Sequence, residues 1–157
     1  MAVRVQTEPF DLAHEVATLK AGRTDLGAIV TFTGTVRDGS GGKRLAAMTL
    51  EHYAGMTEAE LARVEAEARA RWPLQGCTIV HRYGRLVPGD DIVLVVTASA
   101  HREAAFKAAE FLMDYLKTSA PFWKREEFSD GGAGWVEAKA GDEAAAEKWA
   151  TKAPGTT

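Results

Sequence analysis

The run of residues 92–98, IVLVVTA, constrains the fold more than any other stretch of the chain. A strand with one wet face alternates apolar and polar residues, whereas a continuous apolar run indicates a strand that is covered on both faces. We therefore predict a central strand here. A turn at residues 87–91 and a strand-like segment at residues 77–86 precede it, so these two strands are predicted to pair as antiparallel neighbours.

Other segments with the composition of strands are spread along the chain. They are residues 3–6, 27–37, 45–52, 122–128 and a short return strand at 135–138. The glycine-rich segment 38–44 is predicted to be a mobile loop. It is not a phosphate-binding P-loop, because Arg37 stands where that motif requires glycine and Arg44 where it requires Ser or Thr.

Helices are predicted from capping residues and from apolar spacing. Asp11 is the expected N-cap of a helix over residues 12–20. Thr57, with Glu60 three residues later, predicts a capping box at the start of a helix that runs to about Arg71. The apolar residues at helical spacing in this second helix, which we expect to face the core, are Leu61, Val64, Ala68 and Trp72.

A third helix is predicted over residues 100–116, capped by Ser99, and a last one over about 142–149. The expected inward stripe of the third helix is Phe106, Ala109, Met113 and Leu116. Helices interspersed among strands without regular βαβ alternation predict an α+β fold. A chain of 157 residues fits one domain, assigned here to residues 1–150, with a tail at 151–157 that is expected to be disordered.

Charge and cysteine content exclude several classes of protein. The formal net charge of −3 gives no general attraction to nucleic acid or to anionic membranes. No secretory signal or apolar span is recognisable, which predicts a cytoplasmic location. The single cysteine, Cys77, lies in a strand-like run and is expected to be a buried apolar residue, and no histidine has the spacing of a metal site.

The segment from Asp114 to Glu126, DYLKTSAPFWKRE, carries the most suggestive pair of charges. Lys117 and Lys124 lie seven residues apart on either side of Pro121, so a turn there brings two ammonium groups together, which suits an anionic substrate. Two plainer interpretations stay open. Lys117 at a helix end complements the helix dipole, and Lys124 fits a solvated strand. His101 and Arg102 equally fit an anion-binding helix start or ordinary surface charge.

Five blocks of the sequence, in order, resemble the large, catalytic subunit of molybdopterin synthase. They are TFTGTVR, LEHYAGMTE, HRYGRLVPGD, SAHR and DYLKTSAPFWKRE. The resemblance implies an α+β fold with a hammerhead-like α/β part and an additional antiparallel sheet. It implies sulfur transfer from the C-terminal thiocarboxylate of a small ubiquitin-like partner subunit to cyclic pyranopterin monophosphate. It further implies a homodimer within a heterotetramer, and neither a cofactor nor a metal.

The resemblance also assigns site residues. Lys117 and Lys124 are the implied catalytic residues, and both also belong to the substrate-binding set. The other implied substrate-binding residues are Thr35, Val36, Arg37, His101, Arg102, Arg125 and Glu126. In this family the pocket draws on both large subunits, so His101 and Arg102 are candidates to serve a neighbouring subunit. The alternative function is a non-catalytic module that docks a ubiquitin-like tail or a phosphorylated metabolite.

Overall fold

A computed structural model describes residues 3–118, 120–136 and 147–150 of the chain. Within these residues it contains three helices and nine strands. In chain order they are β1 Val3–Gln6, α1 Leu12–Lys20, β2 Ala28–Thr35, β3 Gly39–Ser40, β4 Lys43–His52, α2 Met56–Arg71, β5 Leu74–Arg82, β6 Gly84–Leu86, β7 Asp91–Ser99, α3 Arg102–Leu116, β8 Phe122–Phe128 and β9 Ala133–Val136. The tail and most of the last predicted helix lie outside the described residues.

The first sheet has the strand order β1-β5-β7-β2, and the apolar strand β7 lies inside it. Its two neighbours, β5 and β2, both pair with it antiparallel. Val93 and Val95 pack on one face against α2 and α3, whereas Leu94 and Val96 pack on the other against residues of α1. The predictions of a central strand covered on both faces and of antiparallel pairing with its predecessor are therefore confirmed.

The second sheet has five strands in the order β3-β4-β8-β9, with β6 also paired to β4. The segment predicted as a loop at 38–44 instead forms a tight hairpin between β3 and β4. Gly41 and Gly42 at its tip have φ angles of 57° and 80°, as a type I′ turn requires. The single strand predicted at 77–86 is divided at Tyr83, so β5 belongs to the first sheet and β6 to the second.

Helix α2 begins two residues earlier than the capping box predicts. Gly55 is the N-cap, and its N–H donates to the Glu58 carboxylate at 2.6 Å. Thr57 is fully buried inside the first turn, where its hydroxyl donates to the Tyr53 carbonyl. The proposed Thr57 cap is therefore wrong, because Gly55 at a φ of 85° reverses the chain first. The inward face of α2, which includes Leu61 and Trp72, is confirmed.

Helix α3 begins at Arg102, after His101, and Ser99 does not cap it. The Ser99 hydroxyl instead donates to the Pro73 carbonyl at 2.8 Å. Phe106, predicted to face inward, is 60% exposed. The fully buried face is formed by Ala105, Ala108, Phe111 and Leu112. Small alanines let the helix approach the sheet, so closely that the Thr97 hydroxyl donates to the Ala105 carbonyl at 2.7 Å.

The observed architecture is α+β with an additional antiparallel sheet, as predicted. No helix within the described residues is long and apolar enough to cross a membrane. The two sheets meet where β2, β5 and β7 approach β4 and β8, and α3 ends at the same place.

Candidate functional site

A cavity of about 410 Å³ lies between the two sheets at the C-terminal end of α3. Strands of both sheets and the last turn of α3 contribute to its wall. The polar and charged side chains that line it are Thr35, Arg37, His81, Lys117, Thr118, Lys124 and Glu126. Three guanidinium or ammonium groups therefore face one carboxylate, and the pocket has an excess of positive charge on a chain whose net charge is −3.

The end of α3 positions Lys117. Its N–H donates to the Met113 carbonyl at 3.1 Å, so the residue still belongs to the last helical turn. The next residue, Thr118, donates its hydroxyl to the Asp114 carbonyl at 3.1 Å and closes that turn. Helix geometry thus directs Lys117 to the pocket mouth, where its side chain remains exposed.

Strand β8 supplies the facing wall. Side chains alternate along a strand, so Phe122, Lys124 and Glu126 share the pocket side. Glu126 is only 6% exposed, because β4 and β9 flank it on either side. The structure therefore brings Lys117, Lys124 and Glu126 to one cavity, as the sequence hypothesis requires.

The end of β2 delivers Thr35, Val36 and Arg37 to the same cavity. The pairing of β2 with β7 shifts register after Gly34, which turns the strand end toward the second sheet. Val36 is then fixed by two backbone bonds: its N–H donates to the Asp90 carbonyl and its carbonyl accepts from Gly89. Arg37, which follows this fixed residue, is exposed at the pocket mouth.

Three predicted site residues lie elsewhere in the single chain. Arg125 is on the opposite face of β8, where it forms an ion pair with Glu127 at 3.5 Å. His101 and Arg102 are exposed at the start of α3. That helix has 15 residues, so its start lies about 22 Å from Lys117. None of the three lines the described pocket.

His81 is a pocket residue that the sequence analysis considered only as a metal ligand. It lies on β5, is 8% exposed, and stacks on Phe122 with ring centroids 3.8 Å apart. Burial lowers the pKa of His81 to about 4. The sequence did hold a signal for the burial of His81. Side chains two residues apart on a strand lie on the same face, and His81 shares its face of β5 with Cys77 and Ile79, which pack against α2 and α3.

Cys77 belongs to the hydrophobic core between β5 and the helices, away from the cavity. The side chain is 2% exposed, and burial raises the pKa of its thiol to about 12. A buried, protonated thiol is a poor nucleophile. The prediction that Cys77 is a buried apolar residue is confirmed. Within the described residues, no group of three or more His, Cys, Asp or Glu side chains is placed to hold a metal ion.

Together, the fold and the pocket define an α+β protein with a positively charged pocket between its two sheets. The family model described as "MoaE protein" matches residues 5–119. The molybdopterin synthase catalytic subunit of Mesorhizobium japonicum is 59% identical over 148 residues, covering 94% of this chain and 92% of that protein. The Escherichia coli K12 protein of the same name is 53% identical over 145 residues, covering 92% and 95%.

Solved structures agree with the sequence relatives. The MoaE protein of molybdopterin biosynthesis from Burkholderia ambifaria matches with a TM-score of 0.81 and 52% identity, over 97% of this chain and 100% of that one. The molybdopterin synthase structure from Staphylococcus aureus matches with a TM-score of 0.78 and 32% identity, over 85% and 95%. This chain therefore belongs to the MoaE family, whose curated relatives are molybdopterin synthase catalytic subunits.

Proposed function

We propose that this chain is the catalytic subunit of a molybdopterin synthase. It transfers sulfur from the C-terminal thiocarboxylate of a small ubiquitin-like partner subunit to cyclic pyranopterin monophosphate, and two such transfers make the dithiolene. The observation that carries the proposal is the convergence of Arg37, Lys117 and Lys124 on one cavity in a member of this family. Arg37 lies far from the two lysines in sequence, and the fold brings all three cations to the same cavity.

The protein's own thiol is a poor candidate to carry the sulfur, because Cys77 is buried and its burial raises the pKa of the thiol to about 12. A thiocarboxylate brought by a partner is already a nucleophile. Its sulfur forms a bond to a carbon of the pterin side chain while a carbon–oxygen bond at that carbon breaks, and the departing oxygen stays on the phosphate or takes up protons and leaves as water. A water molecule then cleaves the bond between that sulfur and the acyl carbon, releasing the partner with a carboxylate terminus. The large subunit has to position these groups and stabilise charge, which cations in a partly enclosed pocket do well.

Within the pocket, the roles follow from charge and position. Arg37 at the mouth binds the phosphate, because a guanidinium donates two parallel hydrogen bonds to an anion of this shape. Lys117 is the leading catalytic residue, stabilising negative charge or transferring a proton at the reacting carbon. Lys124 orients the substrate or the acyl group from the facing wall. Thr35, Val36 and Glu126 complete the substrate contacts.

In a homodimer, predicted site residues that lie outside the pocket of their own chain can contribute to substrate binding in the pocket of the second copy. His101, Arg102 and Arg125 are assigned to substrate binding in the homodimer, where the exposed start of α3 approaches the neighbouring pocket. A small partner subunit at each end then gives the heterotetramer. Synthesis from a phosphorylated pterin fits the cytoplasmic location predicted from the sequence.

The test is conversion of cyclic pyranopterin monophosphate by the purified chain mixed with its thiocarboxylated partner, measured by mass spectrometry of the pterin product. We expect a product with two sulfurs, and none when the partner ends in an ordinary carboxylate. Cys77→Ala should retain most of this activity. Binding of partner and pterin without sulfur transfer would instead support the alternative function, a docking module.

A further inference from the structure

His81 is a buried polar group of the pocket to which the proposed chemistry gives no role. Its ring lies at 19° to that of Phe122, which lines the same cavity, with centroids 3.8 Å apart. His52 also packs against Phe122, with ring centroids 5.9 Å apart. The imidazole is therefore held in one orientation, unlike the exposed side chains of Lys117 and Arg37.

The hydrogen bond of Nδ1 fixes where the ring proton lies. Nδ1 is 2.8 Å from the Arg82 carbonyl oxygen. A carbonyl oxygen only accepts, so Nδ1 carries the proton and Nε2 of the neutral ring keeps its lone pair. The Arg82 guanidinium donates to the Thr7 and Asp91 carbonyls, and these bonds anchor the end of β5.

The surroundings keep this ring neutral. Burial is the main cause that lowers the pKa of His81, and the nearby Lys117 and His52 lower it further. The hydrogen bond to the Arg82 carbonyl acts in the opposite direction and does not offset them. At neutral pH, His81 is therefore an acceptor at Nε2 and not a second cationic donor.

A pocket that binds a pterin needs such an acceptor. Arg37, Lys117 and Lys124 only donate hydrogen bonds, which satisfies phosphate and carbonyl oxygens. A pterin ring also carries N–H donors, and a buried donor left without a partner costs binding free energy. Glu126 and the hydroxyls of Thr35 and Thr118 are other acceptors that line the pocket, and His81 adds a neutral acceptor whose ring is held by packing.

Building on the proposed function, we propose that His81 is a specificity-determining residue whose Nε2 accepts a hydrogen bond from an N–H group of the bound pterin. The inference rests on the pocket position of the ring, its stack on Phe122 and the Nδ1 bond that leaves Nε2 available. The ligand that His81 selects is therefore a heterocycle with N–H donors, and a simple phosphate ester lacks the group that His81 recognises.

Histidine ¹⁵N NMR of the complete chain tests the inference without any turnover. At neutral pH we expect His81, assigned from the signal missing in His81→Gln, to be a neutral ring protonated at Nδ1. Its Nε2 resonance should move when cyclic pyranopterin monophosphate is added. Inorganic phosphate should leave it unchanged, and the exposed His14 should respond to neither.

The outcomes separate this inference from the proposed function. Pterin binding without movement of the Nε2 resonance, or a ring protonated at Nε2, would overturn the role of His81 alone. No binding of the pterin to the wild-type chain would overturn both.

Pterin affinity of variants gives a second readout: His81→Phe is expected to weaken it about tenfold or more, because a donor loses its partner. His81→Gln, whose amide oxygen accepts, should recover most of the affinity, and equal loss in both variants would contradict the proposal.

Discussion

Lys117→Ala is expected to abolish sulfur transfer while the chain stays folded and still binds its partner. The side chain is exposed at the end of α3 and makes no contribution to the buried core, so its removal leaves the fold intact. Loss of one group that stabilises developing charge lowers turnover by about 100- to 1,000-fold. Single-turnover formation of sulfurated pterin, with thiocarboxylated partner in excess, measures this loss.

Lys107 offers a matched control on the same helix. Its side chain is 52% exposed and pairs with Glu103 at 3.3 Å, away from the pocket. Lys107→Ala also removes one exposed lysine side chain and its positive charge from α3. Because Lys107 does not line the pocket, we expect wild-type turnover. Wild-type turnover by Lys117→Ala, or equal losses in the two variants, would remove Lys117 from the catalytic role.

Phe111→Ala is expected to produce the largest loss of stability among single substitutions in α3. Phe111 is fully buried, and its ring contacts Trp72 at 5.4 Å, Tyr115 at 4.7 Å and Trp149 at 5.6 Å between centroids. Truncation of a buried phenylalanine removes this packing and leaves a cavity, which lowers the free energy of unfolding by about 3–5 kcal/mol. Urea denaturation followed by tryptophan fluorescence measures the change.

Phe106→Ala is the control, since it makes the same substitution one and a half turns earlier on the exposed face of α3. A surface truncation of this kind changes stability by roughly 0.5 kcal/mol or less. A larger loss for Phe106 than for Phe111 would restore the inward position that the sequence suggested for Phe106, the one member of the predicted inward stripe that is exposed, and would contradict the helix orientation described above.

The sequence predicts the fold best where the pattern is strong. The unbroken apolar run of β7 and the large residues Leu61 and Trp72 of α2 placed the core correctly. In α3 the large residue Phe106 is exposed and not inward as predicted, because the face that meets the sheet is built partly from alanines, whose apolar signal in the sequence is weak. The two predicted helix caps, Thr57 and Ser99, are also wrong. Both residues have hydroxyls suited to capping, but in the folded chain each hydroxyl donates to a carbonyl of another segment or turn instead.

The candidate site was only partly predictable. Spacing about Pro121 suggested that Lys117 and Lys124 converge, and they do line one cavity with Arg37. Arg125 lies outside the cavity because side chains alternate along β8, which puts it on the far face of the strand. His101 and Arg102 lie outside it because the length of α3 separates them from Lys117. The role of His81 depends on its tautomer and on its stack with Phe122, and both arise from contacts between distant segments.

Lysine acylation with and without the thiocarboxylated partner tests the pocket assignment most directly. Mass spectrometry reports the extent of modification at each lysine before and after the partner is bound. If the sulfur-bearing tail enters the cavity, modification of Lys117 and Lys124 falls sharply while that of Lys107 stays constant. Undiminished modification of Lys117 and Lys124 in the bound complex, with protection of lysines elsewhere, would show that the sulfur is delivered to a different surface.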